Sequence, residues 1–520
     1  MGTTIHKNIA TLARLCALKG ITDVVLSPGS RNAPISIAMN REPGLNCHVV
    51  VDERSAAFVA LGMAQKSGRC VATVCTSGTA LLDQSPAIAE AYYQEIPLLV
   101  ISADRPEEWI DQADSQTMRQ NGILQNFVKQ SYCLPTNTED KGKWYANRMV
   151  NEAINTATNG RKGPVHLNVP CDVPLYDTEE ADSNAYAIGR TQEAHISLPT
   201  IKGKVMVLAG FMTPNAELLS TIRQLAAKGV CVMAECLSNL HGKGIINNIE
   251  PTFASIDASN AVQYTPDILI VMGGALVSKH AKQYFRKNQA KQTWRVGMEE
   301  NLIDTFGHIT QQITCTPEDF CKALANNIEA DAKFAEQWLN ASQNCEEKLK
   351  AHNGKWDEVG IFDQLISSLP EGSTLHLSNG TSVRNGQLWN NHKQLNFYAN
   401  RGVSGIDGCT STAIGSALMN KDSLTTLITG DLCFLYDSNA LWNNEFPKNL
   451  RIYVINNNGG GIFRKLDGPS RTEEFEKYFV TPQSVKIATL CTAYGIGSKE
   501  VNTFNELITA TEQVVIVNLP

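Results

Sequence analysis

Two short motifs in the last third of the chain have the residue types and the spacing of a metal site. Gly430-Asp431 ends one β-forming run and Asn456-Asn457 ends another, with Asp431 and Asn457 26 positions apart. One helical crossover fits between them, so the strands are predicted neighbours whose ends meet at one sheet edge. A carboxylate, an amide oxygen and a backbone carbonyl of the following glycine run suit Mg²⁺, with phosphate oxygens completing the set. Alternatively, Asp431 caps a helix and the glycine run is a flexible turn.

Other apolar runs also end in residues that could bind ligands. In open parallel sheets, ligands bind in the crevice at the carboxyl ends of the strands. The segments that follow these runs are SPGSR (27–31), DER (52–54), TSGT (76–79), ADRP (103–106), SNGTSVR (378–384) and NRGVSGIDG (400–408). Glycine, serine, asparagine, aspartate and arginine predominate, which favours anions, phosphates and a hard metal ion.

The elements that must position these residues follow a repeated order. Short β-rich runs alternate with helical patterns, which predicts βαβ units and parallel sheets. The sequence predicts an α/β protein of three doubly wound domains at 1–178, 199–345 and 356–520, with a polar linker at 179–198. The middle section is predicted to end in one long polar helix over 317–354.

Composition excludes several classes of function. With 45 basic and 52 acidic residues, the net charge is −7, which argues against nucleic acid or an anionic membrane as a partner. No apolar run approaches the roughly 18 residues of a spanning helix, and the first twenty residues resemble an amphipathic helix rather than a signal peptide. The 14 cysteines form no CxxC pair, which predicts reduced core thiols in a cytoplasmic enzyme.

The motifs together resemble those of the thiamine diphosphate-dependent enzymes. In that family, GD followed by NN is the signature for diphosphate and Mg²⁺, although Leu432 stands where most members have glycine. Leucine at this position is a feature of one branch that the chain resembles, the MenD family of SEPHCHC (2-succinyl-5-enolpyruvyl-6-hydroxy-3-cyclohexene-1-carboxylate) synthases of menaquinone biosynthesis. The other motifs that resemble this branch are SPGSR, VDERSAAFVALG, TSGTA, ADRPEEWIDQADSQTMRQ, NRGVSGIDG and NNNGGGIF. The motifs fall in order between residues 27 and 463.

This resemblance implies a reaction and an assembly. The enzyme would use thiamine diphosphate and Mg²⁺, which Mn²⁺ can replace, to decarboxylate 2-oxoglutarate and add the four-carbon product to isochorismate. The three domains would be pyrimidine-binding, central and diphosphate-binding in chain order. The protein would be a homodimer with active sites at its interface, which can pair further into a homotetramer.

The resemblance also implies the cofactor contacts. Glu53 would hydrogen-bond N1′ of the aminopyrimidine, and desolvation would raise its pKa; alternatively, Asp52 or Glu53 only stabilises a helix N-terminus. The implied metal ligands are Asp431, Asn457 and Gly459. The implied cofactor contacts are Glu53, Ser77, Gly78, Asn379, Ile406, Asp431, Leu432, Asn457, Gly459, Ile462 and Phe463. Ile406 would support the bent cofactor, or it is an ordinary core residue, and Ile462 with Phe463 would exclude water.

Arginines after strand ends suit substrates that carry carboxylates, because the planar guanidinium binds a carboxylate through two hydrogen bonds. By resemblance, catalytic roles fall to Glu53, Arg31, Gln116, Arg384 and Arg401. The implied substrate contacts are Ser30, Arg31, Arg105, Gln116, Arg119, Lys279, Arg384, Arg401 and Phe463. The chain departs from the family at His280, where some members have a second arginine. It departs again at Gly380, where a serine is expected and Thr381 or Ser378 would supply the hydroxyl.

Three other classes compete with this interpretation. Acetolactate synthases and 2-oxoacid decarboxylases share the cofactor, but Leu432 and the arginines favour a more anionic substrate pair. A nucleotide-binding oxidoreductase is suggested by LAGFMT and VMGGALVS, yet the chain has no GxGxxG, Walker A, HExxH or GxSxG motif. A non-enzymatic binding protein would not need Glu53, Asp431 and Asn457 together.

Overall fold

Apolar runs in each third of the chain form the inner strands of three six-stranded sheets. The computed structural model describes residues 2–180, 185–190 and 196–519. Strands such as Val71–Cys75 and Val205–Ala209 are buried along their whole length, as expected for parallel sheets covered on both faces. The predicted α/β class with three parallel-sheet regions is therefore confirmed.

The first sheet lies within residues 23–170, and a short antiparallel pair joins residues 3–4 to 178–179. The strands are β1 (Thr3–Thr4), β2 (Asp23–Leu26), β3 (Asn46–Val49), β4 (Val71–Cys75), β5 (Leu98–Asp104), β6 (Ser131–Cys133), β7 (Val165–Pro170) and β8 (Thr178–Glu179). The helices are α1 (Lys7–Leu18), α2 (Ala33–Arg41), α3 (Glu53–Ser67), α4 (Ala80–Asp83), α5 (Ser85–Gln94) and α6 (Asp140–Thr158). The sheet order is β3-β2-β4-β5-β7-β6, with parallel pairing throughout.

The second sheet is parallel in all its pairs. The strands of this region are β9 (Ile201–Gly203), β10 (Val205–Ala209), β11 (Cys231–Ala234), β12 (Ile245–Ile246), β13 (Ile268–Met272), β14 (Gln292–Gly297), β15 (Gln311–Thr314) and β16 (Ile328–Ala330). The helices are α7 (Ala216–Ala227), α8 (Ile249–Ala254), α9 (Lys279–Lys287), α10 (Pro317–Asn326) and α11 (Ala332–Leu349). The sheet order is β12-β11-β10-β13-β14-β15, and β16 pairs separately with β9.

The third sheet has the order β18-β17-β19-β20-β22-β21, where these strands are β17 (Thr374–Leu377), β18 (Asn396–Tyr398), β19 (Thr425–Gly430), β20 (Leu450–Asn456), β21 (Ser498–Val501) and β22 (Val514–Asn518). The helices are α12 (Glu358–Ser368), α13 (Ser382–Asn385), α14 (Cys409–Leu418), α15 (Asp431–Tyr436), α16 (Gly461–Lys465), α17 (Ile487–Ala493) and α18 (Phe504–Thr509). The predicted neighbouring strands that end in Gly430 and Asn456 are adjacent, as β19 and β20.

The prediction of a single long helix over 317–354 is wrong. Two helices, α10 and α11, occupy this segment, and strand β16 between them pairs with β9. Asp331 begins the second helix by accepting a hydrogen bond from the backbone N–H of Lys333 at 3.1 Å. The residues around Asn327 are polar, and their pattern does not distinguish a break between two helices from the solvent-exposed face of one helix. The sequence pattern therefore does not indicate the strand.

The predicted linker at 179–198 is only partly described, since residues 181–184 and 191–195 lie outside the described ranges. Its described part is docked on α6. The side chains of Asn147 and Asn151 accept hydrogen bonds from the backbone N–H groups of Tyr186 and Ile188, at 3.0 and 2.6 Å. The predicted domain boundaries themselves stay predictions.

Packing groups the chain into two compact units. One unit contains residues 1–192, 400–422 and 435–450, and the other contains 193–399, 423–434 and 451–520. All 14 cysteines are free thiols, and all except Cys47 and Cys133 are buried, so the prediction of core thiols is confirmed for twelve of them. Among the described residues, no helix is both long enough and apolar enough to cross a bilayer.

Glycines allow α3 and α14 to pack closely within the first unit. A Cβ atom on Gly62 of α3 would overlap the backbone carbonyl of Thr412, and one on Gly415 of α14 would overlap the carbonyl of Val59. The backbones of the two helices are therefore in contact, as small residues at a helix crossing permit. Because Glu53 is the first residue of α3, this crossing also fixes the helix that carries it.

We expect Gly62→Ala to lower the melting temperature. Alanine favours helices over glycine by about 1 kcal/mol, so a net loss would come from the steric overlap, which typically costs about 1–3 kcal/mol in a packed core. The matched control is Gly189→Ala, since a Cβ on this exposed glycine meets nothing within 4 Å. Differential scanning fluorimetry of both variants measures the effect, and equal melting temperatures would contradict the close packing.

Candidate functional site

The first residue of α3, Glu53, lies on the wall of a cavity of about 380 Å³. The helix is capped by Asp52, whose carboxylate accepts a hydrogen bond from the backbone N–H of Ser55 at 2.7 Å. Burial raises the pKa of Glu53, and the charges of Asp83 and Asp52 raise it further against the lowering effect of its own backbone N–H. Capping is thus the work of Asp52, and the Glu53 carboxyl holds a proton more readily than an exposed glutamate does.

The rest of this cavity wall comes from the loop after β4, from helix α4 and from the loop that follows β5. The lining residues are Glu53, Thr76, Ser77, Gly78, Thr79, Ala80, Asp83, Gln116, Thr117 and Met118. The structure therefore brings together four residues predicted for one site: Glu53, Ser77, Gly78 and Gln116. Asp83 was not predicted for this site, although it lies only four residues after the TSGT motif.

A buried glutamine holds the Ser77-Gly78 loop in place. Gly78 has a φ of +90°, a conformation that favours glycine, and its backbone N–H donates to Oε1 of Gln120 at 2.7 Å. Nε2 of Gln120 donates in turn to the carbonyl of Ala103 at 2.9 Å and to Oδ1 of Asn168 at 3.1 Å. Gln120 thus ties the cavity loop to strands β5 and β7.

This polar chain continues into the sheet. Asn168 donates to Asp104 at 2.8 Å and accepts from the hydroxyl of Ser102 at 2.9 Å. Nε2 of His166 lies 2.8 Å from the same hydroxyl, and burial lowers the pKa of His166 to about 4. The imidazole is therefore neutral near pH 7, and the network beneath the loop is fixed by hydrogen bonds rather than by histidine charge.

Three arginines predicted for substrate binding in this unit are bound to groups of their own chain. Arg31 donates to the carbonyl of Cys171 at 2.8 Å, Arg105 pairs with Asp114 at 2.9 Å, and Arg119 pairs with Asp111 at 2.7 Å. None of the three is among the residues that line the Glu53 cavity, and neither is Ser30, which is exposed.

The 111–120 loop stores backbone strain. Asp111, Ala113 and Gln116 have φ values of +62°, +57° and +55°, a region that residues other than glycine seldom adopt. Such conformations cost of order 1–3 kcal/mol each and cluster at ligand-binding segments. The loop therefore presents Gln116 to the cavity in a backbone conformation that a relaxed chain would avoid.

Arg401 and Ile406 belong to the same unit, in the loop between β18 and α14. Ile406 is 36% exposed, which is inconsistent with the alternative that it is an ordinary core isoleucine. Arg401 is half-buried.

Asp431 lies in the second unit, at the end of β19, and is 2% exposed. Its two carboxylate oxygens accept hydrogen bonds from the backbone N–H groups of Leu432 at 2.8 Å and Gly459 at 2.7 Å. Burial raises the pKa of Asp431, and these N–H donors lower it. The structure thus joins Asp431 to the asparagine–glycine loop, as the spacing of the two motifs predicted.

This loop adopts a conformation that requires glycine. Gly459 has a φ of +126°, and a Cβ there would overlap the backbone carbonyl of Val480. Val480 ends a π-helical segment, Phe475–Val480, a rare form that is frequent at functional sites. Oδ1 of Asn457 is buried without a hydrogen-bond partner among the described residues. A buried, unpaired amide oxygen next to this loop fits a metal ion better than it fits a purely structural turn.

Other predicted site residues also belong to the second unit. Ile462 and Phe463 are half-buried in α16, and the Phe463 ring lies 5.7 Å from the ring of Phe479. Asn379 is 5% exposed after β17. Arg384 is exposed in α13 and donates to the carbonyl of Gly380.

The structure shows the surroundings of two of the three departures from the family pattern, Gly380 and His280. Gly380 has a φ of +94°, so a serine at this position would be strained. The hydroxyl of the preceding Ser378 instead accepts from the backbone N–H of Gly430 at 3.3 Å, next to Asp431. Lys279 is exposed at the start of α9, and Nδ1 of the adjacent His280 lies 2.7 Å from the carboxylate of Glu250.

Family models match nearly the whole length of the chain. The N-terminal TPP-binding domain of thiamine pyrophosphate enzymes matches residues 8–125, the middle domain matches 181–377, and the C-terminal TPP-binding domain matches 380–519. The Glu53 cavity lies within the first match and the Asp431 loop within the third. Together they define a thiamine pyrophosphate enzyme, in agreement with the resemblance seen in the motifs.

Curated relatives narrow this class. The chain is 38% identical to the 2-succinyl-5-enolpyruvyl-6-hydroxy-3-cyclohexene-1-carboxylate synthase of Desulfotalea psychrophila, over 96% of this chain and 95% of the relative. It is 39% identical to the synthase of the same name from Cytophaga hutchinsonii, over 92% and 88%, and 38% identical to that from Bacteroides thetaiotaomicron, over 91% and 86%. The chain therefore belongs to the family of 2-succinyl-5-enolpyruvyl-6-hydroxy-3-cyclohexene-1-carboxylate synthases.

We expect Gln120→Met to weaken thiamine diphosphate binding about tenfold. The variant keeps the side-chain length but leaves the Gly78 N–H without an acceptor, and an unpaired buried donor costs roughly 1–3 kcal/mol. The exposed Gln125→Met is the control for the same change in a neighbouring segment. Calorimetric titration with thiamine diphosphate and Mg²⁺ measures both affinities; if they agree, the Gln120 contact to Gly78 does not affect cofactor binding.

Proposed function

We propose that this enzyme uses thiamine diphosphate and Mg²⁺ to decarboxylate 2-oxoglutarate and to add the remaining four-carbon unit to isochorismate. The product would be the compound for which the relatives are named, and the enzyme would act in menaquinone biosynthesis. The observation that carries the proposal is the Glu53 cavity, in which a carboxyl of raised pKa faces the loop of Ser77 and Gly78.

When bound, thiamine diphosphate supplies a nucleophilic carbon and an electron sink for the charge that decarboxylation leaves behind. Glu53 would hold a proton at N1′ of the aminopyrimidine ring, because partial burial raises the pKa of its carboxyl above that of an exposed glutamate. Ser77 and Gly78 would bind the cofactor from the loop after β4. Ile406 would support its bent conformation.

The diphosphate end would be held by the second unit. Asp431, the Asn457 amide oxygen and the backbone carbonyl of Gly459 would ligate Mg²⁺, or Mn²⁺ in its place. The support for this assignment is the pairing of Asp431 with Gly459 and the unpaired, buried Oδ1 of Asn457. The remaining contacts would come from Asn379 and Leu432.

Cationic side chains would bind the carboxylates of both substrates. We assign this role to Arg31, Arg105, Arg119, Lys279, Arg384 and Arg401. The uncharged members of the predicted set, Ser30, Gln116 and Phe463, would make the other substrate contacts. Arg105 and Arg119 would exchange their present partners, Asp114 and Asp111, for substrate carboxylates. The Arg119–Asp111 pair is exposed, and exposed ion pairs contribute only about 0–1 kcal/mol. Ile462 and Phe463 would keep water from the reacting carbon.

For the assembly, we propose a homodimer in which Glu53 of one protomer and Asp431 of its partner serve one active site. Two dimers would pair into a tetramer. We also propose a cytoplasmic location, which the fourteen free thiols support because reducing compartments preserve them.

Incubation of the pure protein with thiamine diphosphate, Mg²⁺, 2-oxoglutarate and isochorismate tests the reaction. We expect carbon dioxide release coupled to loss of isochorismate, and much slower turnover when pyruvate replaces 2-oxoglutarate. Equal turnover of pyruvate without loss of isochorismate would instead indicate a 2-oxoacid decarboxylase.

Glu53→Gln should separate cofactor binding from catalysis. Glutamine keeps the size and can hydrogen-bond N1′, but it cannot exchange a proton there, and a placed acid–base group contributes about 10² to 10⁴-fold in rate. We expect kcat to fall within that range while cofactor affinity stays close to that of the wild type. NMR of hydrogen–deuterium exchange at C2 of the bound cofactor reports the step directly. The exposed Glu152→Gln serves as control, and wild-type exchange in Glu53→Gln would remove Glu53 from the mechanism.

Asp431→Asn should weaken binding of the metal and the cofactor without unfolding the protein. The amide oxygen can still accept one hydrogen bond, but the charge that attracts Mg²⁺ is lost, at a cost of roughly 1.5–3 kcal/mol, or about ten- to a hundredfold in affinity. Calorimetric titration with thiamine diphosphate and Mg²⁺ is the measurement. Asp422→Asn, at an exposed position before β19, is the control, and equal affinities in the two variants would rule out Asp431 as a ligand.

A further inference from the structure

A buried carboxylate of α5 holds the loop that carries Arg401. Glu90 is 1% exposed. One of its oxygens accepts from the backbone N–H of Gly402 at 2.5 Å, and the other accepts from those of Val403 at 2.7 Å and Ser404 at 3.3 Å. Three consecutive N–H groups therefore converge on one side chain, an arrangement known from anion-binding backbone concavities.

The Glu90 carboxylate is itself held from behind. Nε2 of Gln94, on the same helix, donates to Oε1 of Glu90, and Oε1 of Gln94 accepts from Nε2 of Gln65 at 2.6 Å. Gln65 lies on α3, the helix that begins at Glu53. Every described hydrogen bond to Glu90 comes from an N–H donor, so its carboxyl oxygens act as acceptors.

The loop also contacts the α5 backbone. A Cβ atom on Gly402 would lie 2.5 Å from the backbone carbonyl oxygen of Glu90, so only glycine permits this approach. Ser404, with a φ of +64°, adopts a conformation that costs energy and is stabilised by the same carboxylate. The path of the backbone directly after Arg401 is thus set by Glu90.

We propose that Glu90 is a positioning residue for the reaction, acting through Arg401 by fixing the backbone of residues 402–404. The inference rests on the proposed function, in which Arg401 contacts a substrate carboxylate. Glu90 is 1% exposed beneath the loop it holds, so its effect on turnover would pass through the placement of the Arg401 guanidinium.

The test is a double-mutant cycle of Glu90→Gln and Arg401→Ala. Glutamine replaces one acceptor oxygen with an NH₂ group that faces N–H donors, so we expect kcat/KM to fall about ten- to a hundredfold. If Glu90 acts through Arg401, the double variant should lie within about twofold of Arg401→Ala alone. Full additivity of the two losses would overturn the proposal.

Two further variants separate positioning from folding. Glu95→Gln makes the same change five residues along the chain, in a partly exposed ion pair with Arg161, and should leave kcat/KM near that of the wild type. Gly402→Ala displaces the loop without altering the carboxylate, and it should reproduce both the loss and its non-additivity with Arg401→Ala. Glu90→Gln kinetics equal to those of Glu95→Gln, or a fully active Gly402→Ala, would also overturn the proposal.

Amide hydrogen exchange gives a readout that needs no turnover. In Glu90→Gln, the amides of residues 402–404 should exchange faster than in the wild type, while those of α14 remain protected. Unchanged exchange would show that Glu90 does not hold the loop. A wild-type protein that consumes neither substrate would refute the proposed function, but the exchange measurement would still decide whether Glu90 fixes the loop.

Discussion

The close packing of α3 against α14 is the constraint on which the first unit depends. The backbones of the two helices are in direct contact, and glycine at positions 62 and 415 permits this approach. This contact places residues 400–422 in the same packing unit as the first sheet, although more than two hundred residues separate them from it along the chain. The N-terminus of α3, with Glu53, and the loop before α14, with Arg401 and Ile406, are thereby parts of one packed body.

Hydrogen bonds from buried polar side chains connect the packed helices and strands to the loops. Asn168 and Gln120 connect β5 and β7 to the Gly78 loop, and Glu90 connects α5 to residues 402–404. A buried polar group without a partner is costly, so these hydrogen bonds favour one loop conformation over its alternatives. In the second unit, Asp431 has the same role toward the Gly459 turn.

The fold class and the inner strands were predictable because β-branched runs between helical patterns have few other interpretations. Four edge strands were missed: Ser131–Cys133, Ile245–Ile246, Gln311–Thr314 and Ser498–Val501. Three of them have a polar composition that resembles that of loops, and Ile245–Ile246 is only two residues long. An edge strand is paired on only one side, so a weak pattern suffices to form it. The break between α10 and α11 was missed for a related reason, because β16 is specified by its pairing with β9 rather than by its own residues.

The residues of the candidate site were predictable where a motif ends a strand, as for Glu53, Ser77, Asp431 and Gly459. The supporting residues were not. In sequence, Glu90 and Gln120 look like the polar positions of solvated segments, and Glu90 meets loop residues more than 300 positions away. Only the packed structure shows that they are buried.

The burial of the cysteines makes thiol labelling a probe of unfolding in this protein. Twelve cysteines are buried across both units, and only Cys47 and Cys133 are partly accessible. Burial raises the pKa of Cys47 to about 11 and that of Cys133 above its usual value, so even these two carry little reactive thiolate. A thiol-selective label applied to the native protein therefore reacts slowly, and each further cysteine that becomes modified identifies a segment that has opened. Cys231, Cys236 and Cys321 lie in one unit, and Cys16, Cys75 and Cys409 lie in the other. Mass spectrometry of the labelled cysteines can therefore report which unit unfolds first.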